Sequence, residues 1–413
     1  MRRIVNDVLR GSGWSRTVGN VSRCVQAAPA PVGEIGSQIS TLFVSPEASV
    51  AWQVFQSKHV ERFETIVVGG GQAGLAVGHH LAARDADFVI LDGASRVGET
   101  WRRRWDSLRL FTPAGYSGLP GMHFPAPAFH LPDKDEVAEY LTRYADHFDL
   151  PVRLDSRAHS LDHDGRRFVI RTPSNVLEAD NVVVATGPFQ RPRIPALANR
   201  LSAHIRQLHS NEYRNPFELP DGPVLVVGAG NSGAQIALEL AHVRKVWLAG
   251  RNTGYVPRRL LGRDVFDWIW PVMSRASTST RFGRRLRARA RRGGDHRIGI
   301  AENELTAAGI VRVGRLTGER SGLPECNGTV IDPRVIVWST GFEPDYRWIN
   351  LPVLGDDGYP RHDRGVATDV TGLYFVGLRF QHRMTSSLIG GVGEDAAFIA
   401  EQVARRSSIG LAA

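Results

Sequence analysis

Thr65-Ile66-Val67-Val68-Gly69-Gly70-Gly71-Gln72-Ala73-Gly74 joins an apolar strand-like run to a helix-like run through spaced glycines. Pro223-Val224-Leu225-Val226-Val227-Gly228-Ala229-Gly230-Asn231-Ser232-Gly233 does the same later in the chain. Each is a G-x-G-x-x-G placed where a buried strand turns into a helix. The first glycine permits the tight turn, the second lets a pyrophosphate approach the backbone, and the third lets helix pack on strand. The helix N-terminus then offers free N–H groups and a positive dipole end to the phosphates. One such motif is a weak signal. Two in this context predict two dinucleotides on one chain, an arrangement suited to passing electrons between them.

The residues that follow each motif differ. After the first come a helix from about Gln72 to Arg84, a strand Phe88-Val89-Ile90-Leu91, and then Asp92. An acid at that distance accepts the hydroxyls of an adenosine ribose, although an ordinary turn aspartate before Gly93 fits too. After the second, Val246-Trp247-Leu248 ends in Ala249-Gly250-Arg251-Asn252, with no acid. Arg251 is a planar, multi-donor cation suited to a 2′-phosphate, which favours NADPH over NADH; an exposed loop arginine is the alternative.

An internal echo extends the pattern. The strand Val182-Val183-Val184 ends in Ala185-Thr186-Gly187, and Val335-Ile336-Val337-Trp338 ends in Ser339-Thr340-Gly341. The expected fold is therefore α/β, with two Rossmann-like dinucleotide-binding domains, the second inserted into the first. The expected layout is an extension over 1–62, a first part of one domain over 63–190, and the inserted domain over 191–332. An apolar and basic insertion occupies 255–297, the second part of the first domain 333–405, and a tail 406–413. Residues 133–149 read as a helix, with Asp133 as N-cap and Val137, Tyr140, Leu141 and Tyr144 on one face. Segments around 152–154, 159–161 and 167–171 suggest a small antiparallel excursion. A strand at Leu373–Val376 and a helix from about Glu394 to Arg405 close the pattern.

Composition narrows the class. The 413 residues are 42% apolar and 23% charged, as in an ordinary soluble globular protein, and no stretch has the apolar length of a membrane helix. Cys24 and Cys326 form no C-x-x-C, which argues against dithiol redox chemistry and structural zinc and suits a reducing cytoplasm. No metal-ligand pattern stands out. The net charge of +9 is local: eight arginines lie between Arg281 and Arg297 against Asp295 alone, giving +7, residues 1–60 add +3, and the rest of the chain sums to −1. A nucleic-acid partner is therefore not expected. The arginine cluster reads as a solvated face or as an attraction for an anionic partner or lipid surface. Residues 1–62 lack periodicity and contain the linker-like Ala28-Pro29-Ala30-Pro31.

Gly69–Gly74, Gly98-Glu99-Thr100-Trp101, Arg104-Trp105-Asp106-Ser107-Leu108-Arg109-Leu110, Ala185-Thr186-Gly187, Gly228–Gly233 and Ser339-Thr340-Gly341-Phe342 together resemble the flavin-containing monooxygenase family, which includes the plant YUCCA-type enzymes. The resemblance spans about 63–405. It implies FAD at Gly69, Gly71, Gln72, Ala73, Gly74, Asp92, Gly98, Thr100, Trp101, Ala185, Thr186, Gly187 and Gly377. It implies NADPH at Gly228, Gly230, Asn231, Ser232, Gly233, Arg251, Thr340 and Gly341. The implied reaction is hydride transfer from NADPH to FAD, capture of O₂ as a C4a-hydroperoxide, and transfer of one oxygen atom to a small, apolar organic substrate. Arg109, His209 and Tyr213 are the candidate catalytic residues, with an Arg109–Asp106 ion pair as the structural alternative.

Two departures keep other functions open. Of the family's F-x-G-x-x-x-H-x-x-x-Y/F, only the half His209–Tyr213 is present, behind Leu201-Ser202-Ala203. Leu110-Phe111-Thr112-Pro113 stands where several members carry an asparagine beside the flavin. An NADPH-dependent flavin reductase without oxygen insertion and a non-catalytic dinucleotide-sensing subunit both remain compatible. The apolar residues of 255–275, including Tyr255, Val256, Phe266, Trp268, Ile269, Trp270, Val272 and Met273, suit a roof over a substrate channel, contact with a membrane, or packing onto the NADPH domain. The run Ser386–Asp395 is expected to return beside the flavin.

Overall fold

The computed structural model describes residues 60–291 and 296–410, so the extension expected over 1–62 lies outside the described residues except for its last three. Two sheets organise the chain. In the first, β1 (Val60–Val68), β2 (Phe88–Leu91) and β3 (Val152–Arg153) are parallel neighbours. β1 also pairs in parallel with the long strand β6 (Val176–Val184), in a register that places Val68 beside both Leu91 and Val184. The far edge of β6 is shared. Its first half pairs antiparallel with β5 (Phe168–Arg171), which in turn pairs with β4 (Ser160–His163). Its second half pairs in parallel with β12 (Leu373–Phe375).

Both faces of this sheet are covered, which is why its central strands are continuously apolar rather than alternating. Val67, Ile90 and Val183 pack under helices α1 (Gln72–Ala82), α2 (Lys134–His147) and α6 (Gly393–Gly410). Ile66, Val68, Val89 and Leu91 face Phe168, Ile170 and Phe375 on the other side. α2 begins at a capping box: the Asp133 side chain accepts from the Glu136 N–H, and Glu136 accepts from the Asp133 N–H.

The second sheet is all parallel, in the order β10 (Val311–Gly314), β9 (Val246–Ala249), β8 (Val224–Val227), β11 (Val335–Trp338), β7 (Arg206–His209). Helix α3 (Asn231–Ala241) buries Ala234, Ile236 and Ala237 against Val224 and Val226. All five strands fall in sequence between β6 and β12. The chain leaves the first sheet through Arg191–Pro192 and comes back through Phe342–Glu343, and these two connections pair antiparallel.

Three expectations need correction. Val335–Trp338, assigned to the first domain by the boundary at 333, lies in the second sheet, where Val335 pairs with Val224 and Arg206. Val152–Arg153 belongs to the parallel sheet, not to the antiparallel excursion. The helix expected to end near Arg405 runs to Gly410, so most of the expected tail is helical; the Ser407 hydroxyl bonds to the Glu64 carboxylate.

The insertion contains α4 (Val265–Arg275) and α5 (Arg281–Arg291). α4 and its flanks pack on Tyr116, Phe111 and His382, while Tyr255–Val256 pair with Arg297–Ile298, whose Ile298 N–H donates to Asn231 of α3, so the segment contacts both parts of the fold. Tyr116 donates to Asp267 Oδ1 at 2.7 Å, Arg258 donates to the Phe111 carbonyl at 2.6 Å, and Thr278 N–H donates to the His382 carbonyl at 2.8 Å.

Candidate functional site

The two glycine turns are built alike. Gly69 and Gly228 have φ of +112° and +115°, and a methyl on either would lie 2.6 Å from the Ala185 carbonyl oxygen or 2.1 Å from that of Ser339. Only glycine fits there. A methyl on Gly74 or Gly233 would sit 1.8 Å from the Gly69 or Gly228 oxygen, so the helix could not approach the strand. Around Gly71 and Gly230 the same methyl meets nothing within 4 Å, and the same holds at Gly187 and Gly341. The middle glycine of each turn thus borders open space, while the outer two are fixed by the chain itself.

Both helices that follow open without a capping side chain at Gly71 and Gly230, and neither has an acid in its first turn. Their first N–H groups are left for an outside acceptor, and an anion is the partner that the dipole favours. The residues present therefore fit two pyrophosphate groups.

Asp92 sits at the end of β2, directly beside the first turn. Its Oδ2 accepts from Gly70 N–H at 2.7 Å and its Oδ1 from Ala94 N–H at 2.8 Å. A carboxylate offers about four lone-pair directions, so acceptor capacity for a diol remains. Gly377 closes the same region from β12, with φ +83° and a would-be methyl 2.8 Å from Ala73 Cβ. Gln72 and Ala73 form the first turn of α1, and the Thr186 hydroxyl accepts from Gln190 at 2.6 Å. Gly98 starts the short helix Glu99–Arg102 against Ala138 of α2. Thr100 is exposed, and Trp101 packs against the cores of both sheets.

At the second turn, the Asn231 side chain accepts from Ile298 N–H at 2.8 Å, and Ser232 follows it in the first turn of α3. Arg251 is exposed just past β9 and forms no ion pair among the described residues. Thr340 bonds through its hydroxyl to the Arg193 carbonyl.

The side chains of the three catalytic candidates have separate partners, although the Tyr213 N–H donates to the His209 carbonyl at 3.2 Å. His209 is fully buried; its Nε2–H donates to the Gly341 carbonyl at 3.0 Å while Nδ1 accepts from Asn211 N–H at 3.2 Å. Both ring nitrogens are used, and burial holds its pKa below the usual histidine value, so the imidazole is a neutral brace. Tyr213, also fully buried, donates to Glu239 Oε2 at 2.7 Å; burial first, and that carboxylate second, push its pKa up. Arg109 pairs with Asp133 at 3.1 Å rather than with Asp106, and Lys134 approaches Asp106 instead. The Arg109 backbone clasps the Gln235 amide of α3 by two hydrogen bonds, at 3.2 and 2.9 Å.

Arg104 carries no expected role, yet it occupies a central place. It donates to Asn211 at 3.1 Å and lies 5.3 Å above the Phe342 ring, with its pKa pushed down to about 10 by burial and then by Arg214. The crowded arginines of 102–104 masked it in the sequence. Phe111, at the position of the missing asparagine, stacks 6.4 Å from Phe266 of α4. A cavity of about 450 Å³ is lined by Tyr116, Trp270, Leu119, His123 and Gly390 among others. A second, of about 400 Å³, is polar and includes Arg275, His382, Arg383 and Glu394.

Two glycine turns, each at the end of a parallel strand in its own sheet, define an oxidoreductase of the two-nucleotide type. Residues 66–280 match the family described as pyridine nucleotide-disulphide oxidoreductase, and the chain belongs to that family, in its flavin-containing-monooxygenase-like branch. It is 39% identical to a protein of Geobacillus kaustophilus called an uncharacterized oxidoreductase CzcO-like, over 82% of this chain and 98% of that one. It is 28% identical to a probable indole-3-pyruvate monooxygenase, YUCCA7, of Arabidopsis thaliana, over 82% of this chain and 87% of that one. Among solved structures, a flavin-containing monooxygenase from Stenotrophomonas maltophilia is 27% identical, with a TM-score of 0.64 over 84% of this chain and all of that one. Among the described residues the disulphide chemistry in the family's description has no counterpart: Cys326, the one cysteine among them, is buried, and burial pushes its thiol up to about 11.

Proposed function

We propose that this chain is an NADPH-dependent flavoprotein monooxygenase acting on a small, apolar organic substrate. FAD occupies the first turn and NADPH the second. The observation that carries the reading is the pair of open cradles at Gly71 and Gly230, each under an uncapped helix N-terminus. Asp92 accepts the FAD ribose hydroxyls, and Gly98, Thr100, Trp101, Ala185, Thr186, Gly187 and Gly377 line that cofactor. Asn231, Ser232, Gly233, Thr340 and Gly341 flank NADPH, whose 2′-phosphate Arg251 grips. FAD supplies the redox and oxygen chemistry when bound.

The protein's own part is to hold, orient and exclude water. The second sheet and its helices act as a domain inserted in the first, carried on the paired connections at 191–192 and 342–343. His209 fixes the Gly341 carbonyl between them. α4 roofs the cavity with Trp270, above Tyr116, which supports an apolar substrate site. The reaction suits the cytoplasm, where NADPH is made.

Phe111 in place of an amide favours a second reading, a flavin reductase that releases H₂O₂. Rapid mixing of the NADPH-reduced holoenzyme with O₂ tests both. A long-lived C4a-hydroperoxide absorbance supports oxygenation, and immediate H₂O₂ release supports the reductase. Failure of NADPH to reduce the flavin would leave only the sensing role.

A further inference from the structure

The outer side of 255–291 is apolar where a water-facing helix should be polar. α4 turns Val265 and Phe266 inward. Trp268, Pro271, Val272 and Arg275, spaced i, i+3, i+4 and i+7, all face outward. Trp268 is 44% exposed and Val272 63%. The hairpin Arg259–Leu260 with Arg263–Asp264 carries Leu261 at its tip, 82% exposed. Trp268 donates its indole N–H to the Leu260 carbonyl at 3.2 Å, which joins hairpin and helix in one patch. On the next helix, Phe282 is 63% exposed. Scattered exposed apolar side chains need no explanation, but several large ones on one segment mark an interaction surface.

The charge of this segment is one-sided. Residues 255–291 hold ten arginines and two aspartates, and both aspartates are occupied, Asp264 by Arg258 and Asp267 by Tyr116. Arg259, Arg263, Arg281, Arg285 and Arg289 are exposed and form no ion pair among the described residues. α5 has six arginines in its 11 residues and no acid.

We propose that this face docks on an anionic lipid surface. Leu261, Trp268, Val272 and Phe282 enter the boundary between headgroups and acyl chains, and the arginines meet lipid phosphates around them. Complementarity decides between occupants. A nucleic acid satisfies the arginines but leaves the apolar side chains in water. A second copy of this chain covers the apolar patch but brings two strongly positive faces together. An anionic membrane satisfies both, and long arginine stems follow apolar surface while their heads stay with phosphate. The proposal does not depend on the cofactor assignment.

The test is cosedimentation of the full-length, FAD-loaded protein with vesicles of phosphatidylcholine alone or mixed with phosphatidylglycerol. The protein is expected on the mixed vesicles only, with binding that weakens as salt rises. Removing Arg281, Arg285 and Arg289 together by substitution with Gln is expected to lower partitioning about 100-fold, from roughly fivefold per cation near such a surface. Trp268→Ser with Val272→Ser and Phe282→Ser is expected to lower it at least about tenfold. Leu261→Ser, at an exposed tip where folding is not at stake, is expected to lower it several-fold. Equal binding to both vesicle types, or to neither, overturns the proposal. So does vesicle binding that survives all the apolar substitutions while tracking binding to a single-stranded oligonucleotide. Self-association in sedimentation velocity that the apolar substitutions abolish would also overturn it, in favour of a second copy.

Discussion

Replacing Gly230 by alanine separates nucleotide binding from folding. Its φ of −80° and ψ of −168° are extended backbone open to any residue, and its methyl would meet nothing within 4 Å. Loss of chain entropy in the unfolded state favours alanine by about 0.4–1 kcal/mol, and alanine's poorer performance at an N-cap offsets a similar amount. Net stability should stay within about 1 kcal/mol, and Tm within about 3 °C. The same methyl stands where the pyrophosphate must approach. Losing one charge-assisted hydrogen bond there costs about 1.5–3 kcal/mol, an increase in Kd of roughly tenfold to a hundredfold. Gly233→Ala is the contrast. Its methyl falls 1.8 Å from the Gly228 oxygen, so α3 must shift, at a cost of about 1–3 kcal/mol or more. Calorimetric titration with NADP⁺ and thermal melts on both variants give the two quantities separately. The reasoning fails if Gly230→Ala binds NADP⁺ like the unaltered protein, or if it melts as early as Gly233→Ala.

Arg251→Ala should reduce the preference for NADPH over NADH at least about tenfold with little change in melting; unchanged kcat/KM ratios for the two nucleotides would remove its assigned role. His209 is held neutral, so the rate of flavin reduction by NADPH should show no histidine ionisation between about pH 6 and pH 8. An ionisation in that window that disappears in His209→Asn would contradict the bracing role. Asp395 is buried with Oδ1 unpartnered, and burial pushes its pKa up to about 6. A raised folded pKa means that this stabilising contribution is complete below the unfolded value of 3.8 and is lost as pH rises through about 6. Asp395→Asn should therefore gain up to about 3 kcal/mol relative to the unaltered chain between about pH 4 and pH 8. Urea unfolding at both ends of that range checks it, and a constant difference would show that Asp395 does not titrate in the fold.

What could be read in the sequence was what backbone geometry dictates residue by residue. Glycine is forced at Gly69, Gly74, Gly228 and Gly233 by carbonyl oxygens within 2.6 Å of any methyl, so the turns announce themselves. Asp133 and Glu136 announce a helix start for a similarly local reason. Choices settled at long range left no such mark. Val335–Trp338 is apolar in either sheet, and only its pairing with Val224 and Arg206 decides its place. Arg109 had acids on both sides, and Asp133 won because α2 brings its N-cap alongside. The packing of α4 on Tyr116 and Phe111 depends on the Arg258 and Asp267 contacts, each across more than a hundred residues.

The recurrence of Thr-Gly after a buried strand has a mechanical reason beyond the echo itself. Ala185 and Ser339 place their carbonyl oxygens directly over Gly69 and Gly228, so each strand end closes one glycine turn. Immediately beyond, the same two segments become the connections between the sheets, paired at Pro192 with Phe342 and held by Arg193 N–H to the Gly341 carbonyl at 3.0 Å. The two glycine turns and the connection between the two units therefore share the same two segments. His209 holds the Gly341 carbonyl at the second-sheet end of this connection, and the clasp of Arg109 on Gln235 of α3 joins the first part of the chain to the second sheet directly. Those bonds are neutral and short-ranged, so they resist motion without a salt-dependent term. On the proposed reading, two dinucleotides that exchange a hydride need their rings brought into register, and that alignment would fall on the segments that close the two glycine turns and link the two sheets.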